Sequence, residues 1–278
     1  MPGPYGIAIH VADLVAVLDH VGAAAVLLAG HSMGACVMAI LAAEHPERAA
    51  GLLLLDAGLP FARPEDPAEM LESAVANAVM RLGITFASVD QYVEGWRAHP
   101  AFAHAWDDDI DAYARCDIVE DGHGARCAAS AAAVRADSSD MILDDATRTA
   151  LDRVRAPVQL LRAEHGLFDD DPLIAADALH EFVAAPPSVG VDEVAGVNHY
   201  ALIMGNSPGA RRVAAAIEAS SPTPHVRSGS ATWPRVPARG PWACSTTQAE
   251  TITLTCWPSY SPDRLAAACP LEPSPGRQ

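Results

Sequence analysis

Apolar residues follow two rhythms along this chain, and each rhythm specifies an element. From Ile7 to Asp19 the apolar positions Ile7, Val11, Leu14 and Leu18 recur every three or four residues, the spacing of one helix face, and Gly22 ends the run. Four other stretches read as strands: Ala25 to Ala29, Leu52 to Leu55 between Gly51 and Gly58, Pro157 to Leu161, and the shorter Ser188 to Val194. The first two are continuous apolar runs, as strands covered on both faces of a parallel sheet are. Val37, Met38, Ile40 and Leu41 mark the helix between them, closed by His45-Pro46, and a helix there is the crossover that parallel pairing requires. Pro172 suits the first turn of a further helix to about Val183, with Asp170 or Asp171 as its cap, and a last helix spans roughly Pro208 to Ala219. The expected fold class is α/β, built on a mostly parallel sheet.

Between Pro60 and Ala156 the pattern changes. Alanine-rich helical segments carry Phe86, Tyr92, Trp96, Phe102, Trp106 and Tyr113, broken at Gly83, Pro100 and Gly122, and no strand pattern shows. Helices inserted between two sheet strands read as a cap over the strand ends, where a pocket would lie. Each aromatic, taken singly, is equally well explained as packing of cap on body, so none is singled out as a substrate contact. The organisation expected is a core of residues 1–59 and 157–219, a helical cap of 60–156, and a tail of 220–278. That tail holds ten prolines in its last 58 residues and many Ser and Thr, the composition of a disordered segment. Thr251 to Thr255 alternates like a strand, yet nothing nearby is expected to pair with it.

Composition narrows the function. The chain has 278 residues, half of them hydrophobic, enough for one core and an inserted subdomain. Eighteen basic residues, all arginine, face 35 acidic ones for a net charge of -17, which argues against nucleic acid and anionic membranes as partners. There is neither a long apolar run nor a basic-then-apolar start, so no membrane span or signal peptide is read and a cytoplasmic location is expected. Six cysteines without metal-ligand or framework spacing read as free thiols. The run Asp107-Asp108-Asp109-Asp111 spreads around a helix axis and reads as a solvated face, so no metal and no cofactor are expected.

The chemistry gathers at Gly30-His31-Ser32-Met33-Gly34, where strand turns sharply into helix. A serine at such a turn has a strained backbone and needs small neighbours two residues away on either side, which Gly30 and Gly34 supply. The turn lifts the Ser32 hydroxyl above the carboxyl edge of the sheet and leaves the Met33 N–H to face a developing oxyanion. Ser32 is the candidate nucleophile, and a serine hydroxyl needs an imidazole to take its proton and a carboxylate to orient that imidazole. His199, in the loop after the last strand, is the candidate base; His31 packs beside the turn, and His165 is a weaker rival. Asp169, just past the third strand, is the first choice for the acid, with Asp170 second and Asp56, which also ends a strand beside the elbow, third.

With these residues the chain resembles the α/β-hydrolase superfamily, particularly serine hydrolases with a helical cap from high-GC bacteria. The elbow, Leu55-Asp56-Ala57-Gly58-Leu59-Pro60, Leu160-Leu161-Arg162-Ala163 and Asn198-His199-Tyr200 carry the likeness, over about residues 5 to 219. It implies Ser32 as nucleophile, His199 as base and the aspartate after the third strand as acid; aspartate-nucleophile members are disfavoured. The implied activity is hydrolysis of a small-molecule ester, lactone or related acyl compound through a triad and an acyl-enzyme; carbon–carbon bond hydrolysis or cofactor-free perhydrolysis would use the same residues. One departure stands out. The superfamily places several strands, and a loop giving a second oxyanion N–H, ahead of the elbow strand, whereas 29 residues precede Gly30 here. The expectation is an N-terminally truncated α/β-hydrolase fold whose elbow strand is an uncovered edge open to self-association. From that follows the rival reading, a catalytically impaired or inactive remnant.

Overall fold

The computed structural model describes residues 5–60, 65–120, 122–183, 189–220 and 251–253. The first helix, α1 (Ile7–Val21), buries Ile7, Val11, Leu14 and Leu18 and closes on Gly22 in the left-handed region, at φ 69°. Strand β1 (Val26–His31) follows, then α2 (Met33–Glu44), in which ten consecutive residues, Met33 to Ala42, are buried, and β2 (Ala49–Leu55). The inserted region contains α3 (Pro67–Leu82), β3 (Thr85–Phe86), α4 (Val89–Arg97), a single 3-10 turn at Pro100–Phe102, α5 (Asp108–Cys116), β4 (Ile118–Glu120), β5 (Ala125–Cys127), α6 (Ala131–Leu143), α7 (Asp145–Arg148) and α8 (Ala150–Arg153). The chain returns to the sheet with β6 (Val158–His165), α9 (Ala176–Val183), β7 (Val189–Asn198) and α10 (Pro208–Ser220), and a last strand, β8, spans Thr251–Thr253.

The main sheet has the order β7-β6-β2-β1-β8, with every pair parallel. Its continuous apolar runs divide between two faces residue by residue. Leu28, Leu52, Leu54 and Leu160 pack with α1, α2 and α8 on one side; Leu27, Leu53, Leu55 and Leu161 pack with α10 on the other. Each such leucine contributes about 1.5–3 kcal/mol by burial, which is why the runs lack the alternation of a half-exposed strand. Ala150, Leu151 and Val154, read from sequence as the end of the cap, lie in the cluster with α1 and α2. Carboxylates of α6 hold the start of α1: Asp137 accepts from the Gly6 N–H at 2.9 Å and Asp140 from the Ile7 N–H at 3.0 Å, serving donors that a helix start leaves unpaired.

Three expectations need correction. The inserted region is not helical throughout, because β3, β5 and β4 form a small antiparallel sheet; strands of two or three residues are too short to leave a period-two pattern. The helix expected from Pro172 starts at Ala176, because Asp170 closes the preceding loop, its backbone oxygen accepting from the Gly166 N–H at 3.0 Å and its side chain from the Phe168 N–H at 3.2 Å. The outer edge of β1 is paired, Leu27 to Ala29 lying opposite Thr251 to Thr253. An apolar edge with free backbone donors and acceptors takes up a short Thr-Ile-Thr strand readily, and sequence separation hid the match. The rest of the tail reading, on 221–250 and 254–278, falls outside the described residues. A chain ended at Ser220 loses this partner and should self-associate, eluting ahead of the full-length protein with a higher mass by light scattering; a monomer at equal concentration would contradict the role given to β8.

Candidate active site

Ser32 stands alone between β1 and α2 at φ 55° and ψ -126°, a conformation that side-chain-bearing residues rarely adopt. The turn is so tight that a Cβ at Gly30 would collide with the backbone of Gly34 and come within 2.7 Å of the Ala35 nitrogen, which explains the first glycine. The turn is fixed from both sides: the Ser32 N–H donates to the Leu55 carbonyl at 3.2 Å, and the Ser32 carbonyl accepts from the Ala35 N–H at 2.9 Å. Ser32 itself is half-buried, hence still reachable. Met33 is the first residue of α2, where a backbone N–H has no intrahelical acceptor.

Asp56 ends β2 next to the elbow, its backbone also left-handed at φ 51°, and it is fully buried. Its N–H donates to the Leu161 carbonyl at 2.8 Å, and its Oδ1 accepts from the Ala163 N–H at 3.0 Å. The other carboxylate oxygen, Oδ2, lies 2.7 Å from Nδ1 of His199. A carboxylate accepts only, so the proton sits on Nδ1 and Nε2 of the imidazole is left as a base.

Here the sequence expectation is corrected on its first choice. Asp169 does lie past β6 in a left-handed turn, at φ 61°, but it accepts from Nδ2 of Asn198 at 3.2 Å. Asp170 serves the loop described above. The carboxylate on His199 belongs to Asp56, the third choice, because β2 neighbours β1 and its end turns at the same height as the elbow. One sequence signal favoured it: an aspartate directly after four buried leucines must have a partner when it is buried. His165, the rival base, lies opposite Asn198 in the β6–β7 register.

Sequence reasoning missed what His31 and Asn198 do. His31 is buried; its Nε2–H donates to the His199 carbonyl at 3.0 Å, with the two ring centroids 4.3 Å apart. Burial first, and the neighbouring His199 second, hold its pKa well below the ordinary histidine value, so it stays neutral. The unfolded chain then binds a proton that the folded one refuses, and stability present above about pH 6.5 is lost as the pH falls below it, by about 1.4 kcal/mol per unit. Thermal melts between pH 7.5 and pH 5.5 should show this slope, reduced in His31→Gln. Asn198 donates from Nδ2 to the Ala101 carbonyl of the inserted region at 2.9 Å and accepts at Oδ1 from the Ala201 N–H at 2.9 Å, tying the His199 loop to that region.

Aromatic rings of the inserted region pack against this loop. Tyr200 lies 5.7 Å from the His199 ring and touches Trp96, His99 and Phe102. The aspartate run of the inserted region has structural partners: Asp107 accepts from the N–H groups of Ile110 at 2.9 Å and Asn206 at 2.7 Å, while Asp111 pairs with Arg97 and Arg115. Among the described residues no helix is long and apolar enough to cross a membrane.

No curated protein matches the chain. Among solved structures it is similar to E-2-(acetamidomethylene)succinate hydrolase at 20% identity and TM-score 0.56, over 78% of this chain and 73% of that one. A hypothetical protein of Pseudomonas aeruginosa PAO1 aligns at 22% identity and TM-score 0.57, over 78% and 74%. The thioesterase domain of the curacin biosynthetic pathway aligns at 17% identity and TM-score 0.56, over 77% and 72%. Likeness at these identities speaks for the fold. The family model described as the alpha/beta hydrolase fold matches residues 2–205, spanning both elbow and histidine loop, and the chain belongs to that family.

Proposed function

We propose that the protein is a serine hydrolase of a small-molecule ester, lactone or related acyl compound, acting through Ser32, His199 and Asp56. The observation that carries this reading is the 2.7 Å contact of His199 Nδ1 with buried Asp56, at the sheet edge where the elbow presents Ser32. His199 Nε2 takes the hydroxyl proton as Ser32 Oγ adds to the acyl carbon, and Asp56 stabilises the imidazolium that results. The Met33 N–H faces the oxyanion; one such donor typically contributes about a hundred- to thousand-fold. The imidazolium then protonates the leaving alcohol, and a water deprotonated by His199 attacks the acyl-enzyme, releasing the acid and restoring Ser32.

A fluorophosphonate probe should label the full-length protein at Ser32, and Ser32→Ala should abolish labelling. Labelling that persists in the variant would remove Ser32 from its role. A protein that takes the probe at Ser32 yet turns over no short p-nitrophenyl ester would fit the impaired form of the same site.

A further inference from the structure

Arg81 lies in the last turn of α3 with its guanidinium carbon 4.9 Å from the centroid of the Trp96 ring. Two ring contacts lead from there to the candidate base: Trp96 is 5.9 Å from Tyr200, and Tyr200 is 5.7 Å from His199. His99 completes the same aromatic cluster, 5.9 Å from both Trp96 and Tyr200. Burial first, and the Arg81 charge second, hold His99 below its ordinary pKa, so Arg81 is the cation of this cluster.

The guanidinium is incompletely used. Nη1 donates to the Tyr92 hydroxyl at 3.1 Å and stands 3.7 Å from Asp117 Oδ2, while Nε and Nη2 have no hydrogen-bond partner among the described residues. Asp117 is a weak counter-charge. The same Oδ2 accepts from the Tyr92 hydroxyl and, at 3.4 Å, from the Cys127 thiol, and burial pushes the carboxyl pKa up. With 30% of its side chain exposed, Arg81 can be reached, and two free N–H groups on one planar fork match the two oxygens of a carboxylate. The net charge of -17 gives the protein no general attraction for anions, so the recognition must be local.

We propose that Arg81 is the anion-binding residue of the substrate site, and that the acyl substrate carries a carboxylate remote from the scissile bond, as the half-ester of a dicarboxylic acid does. This rests on the serine-hydrolase reading above. The test compares p-nitrophenyl hemiesters of succinic through suberic acid with neutral p-nitrophenyl esters of matched length, on full-length wild type, Arg81→Met and Arg81→Lys. Wild type should favour a hemiester in kcat/KM. Arg81→Met should lose about tenfold to a hundredfold more on it than on the neutral esters, chiefly through KM, while Arg81→Lys keeps part of the preference. In wild type alone, the free dicarboxylate of the favoured length should compete with a neutral ester better than the monocarboxylate does, a measurement independent of how the variants fold. If Ser32 is not the nucleophile, Ser32→Ala keeps its probe labelling and its turnover, a failure distinct from lost discrimination. Equal treatment of hemiesters and neutral esters by wild type, equal inhibition by the two acids, or a parallel loss on both ester classes in Arg81→Met would overturn the proposal.

Discussion

Asp56→Asn should lower kcat about 10,000-fold, while Asp169→Asn stays within a few-fold of wild type. The difference follows from what each carboxylate meets. Asp56 Oδ1 accepts from the Ala163 N–H, so an asparagine there keeps its carbonyl on that donor and turns its NH2 toward His199 Nδ1. Two donors cannot face each other, and the imidazole moves its proton to Nε2, the atom that accepts from Ser32 in the proposed mechanism. At Asp169 the partner is a donor, Nδ2 of Asn198, which an asparagine carbonyl still satisfies, and asparagine tolerates the positive φ. Steady-state turnover of a p-nitrophenyl ester, with circular dichroism to establish folding, decides between them. Collapse in Asp169→Asn with activity kept in Asp56→Asn would return the acid to the loop after β6.

His199→Ala should cost more, about a million-fold in kcat, because base and acid are lost together. The variant also leaves Asp56, fully buried, with no imidazole beside its Oδ2. Removing one partner of a buried pair typically costs about 3 to 5 kcal/mol, so the melting temperature should fall as well. A Ser32→Ala, His199→Ala double variant should be no slower than either single one, since a nucleophile without its base is already inert. Additive losses would mean that the two residues act independently, and a His199→Ala variant with substantial turnover would displace His199 as base.

The sequence alone determined whatever depends on near neighbours. Ile7, Val11, Leu14 and Leu18 specify α1 because a helix repeats every three to four residues, and those four are the ones it buries. Gly30 and Gly34 specify the elbow because the crowding there is between residues four apart, and chain order puts His199 and Tyr200 just past β7, although that strand runs on to Asn198 instead of ending at Val194. What the tertiary structure decided is everything set by distances across the sheet. Asp56 and Asp169 both follow apolar strands, so local pattern ranks them poorly; the pairing of β1 with β2 puts Asp56 on His199, and the end of β7 gives Asp169 to Asn198. The pairing of Thr251–Thr253 with Leu27–Ala29 and the approach of Arg81 to Trp96 are likewise invisible in sequence. Backbone sterics act within a turn of chain and leave their mark in residue spacing; hydrogen bonds between remote strands and loops leave none, because any chain path that delivers the two groups to the same place serves equally well.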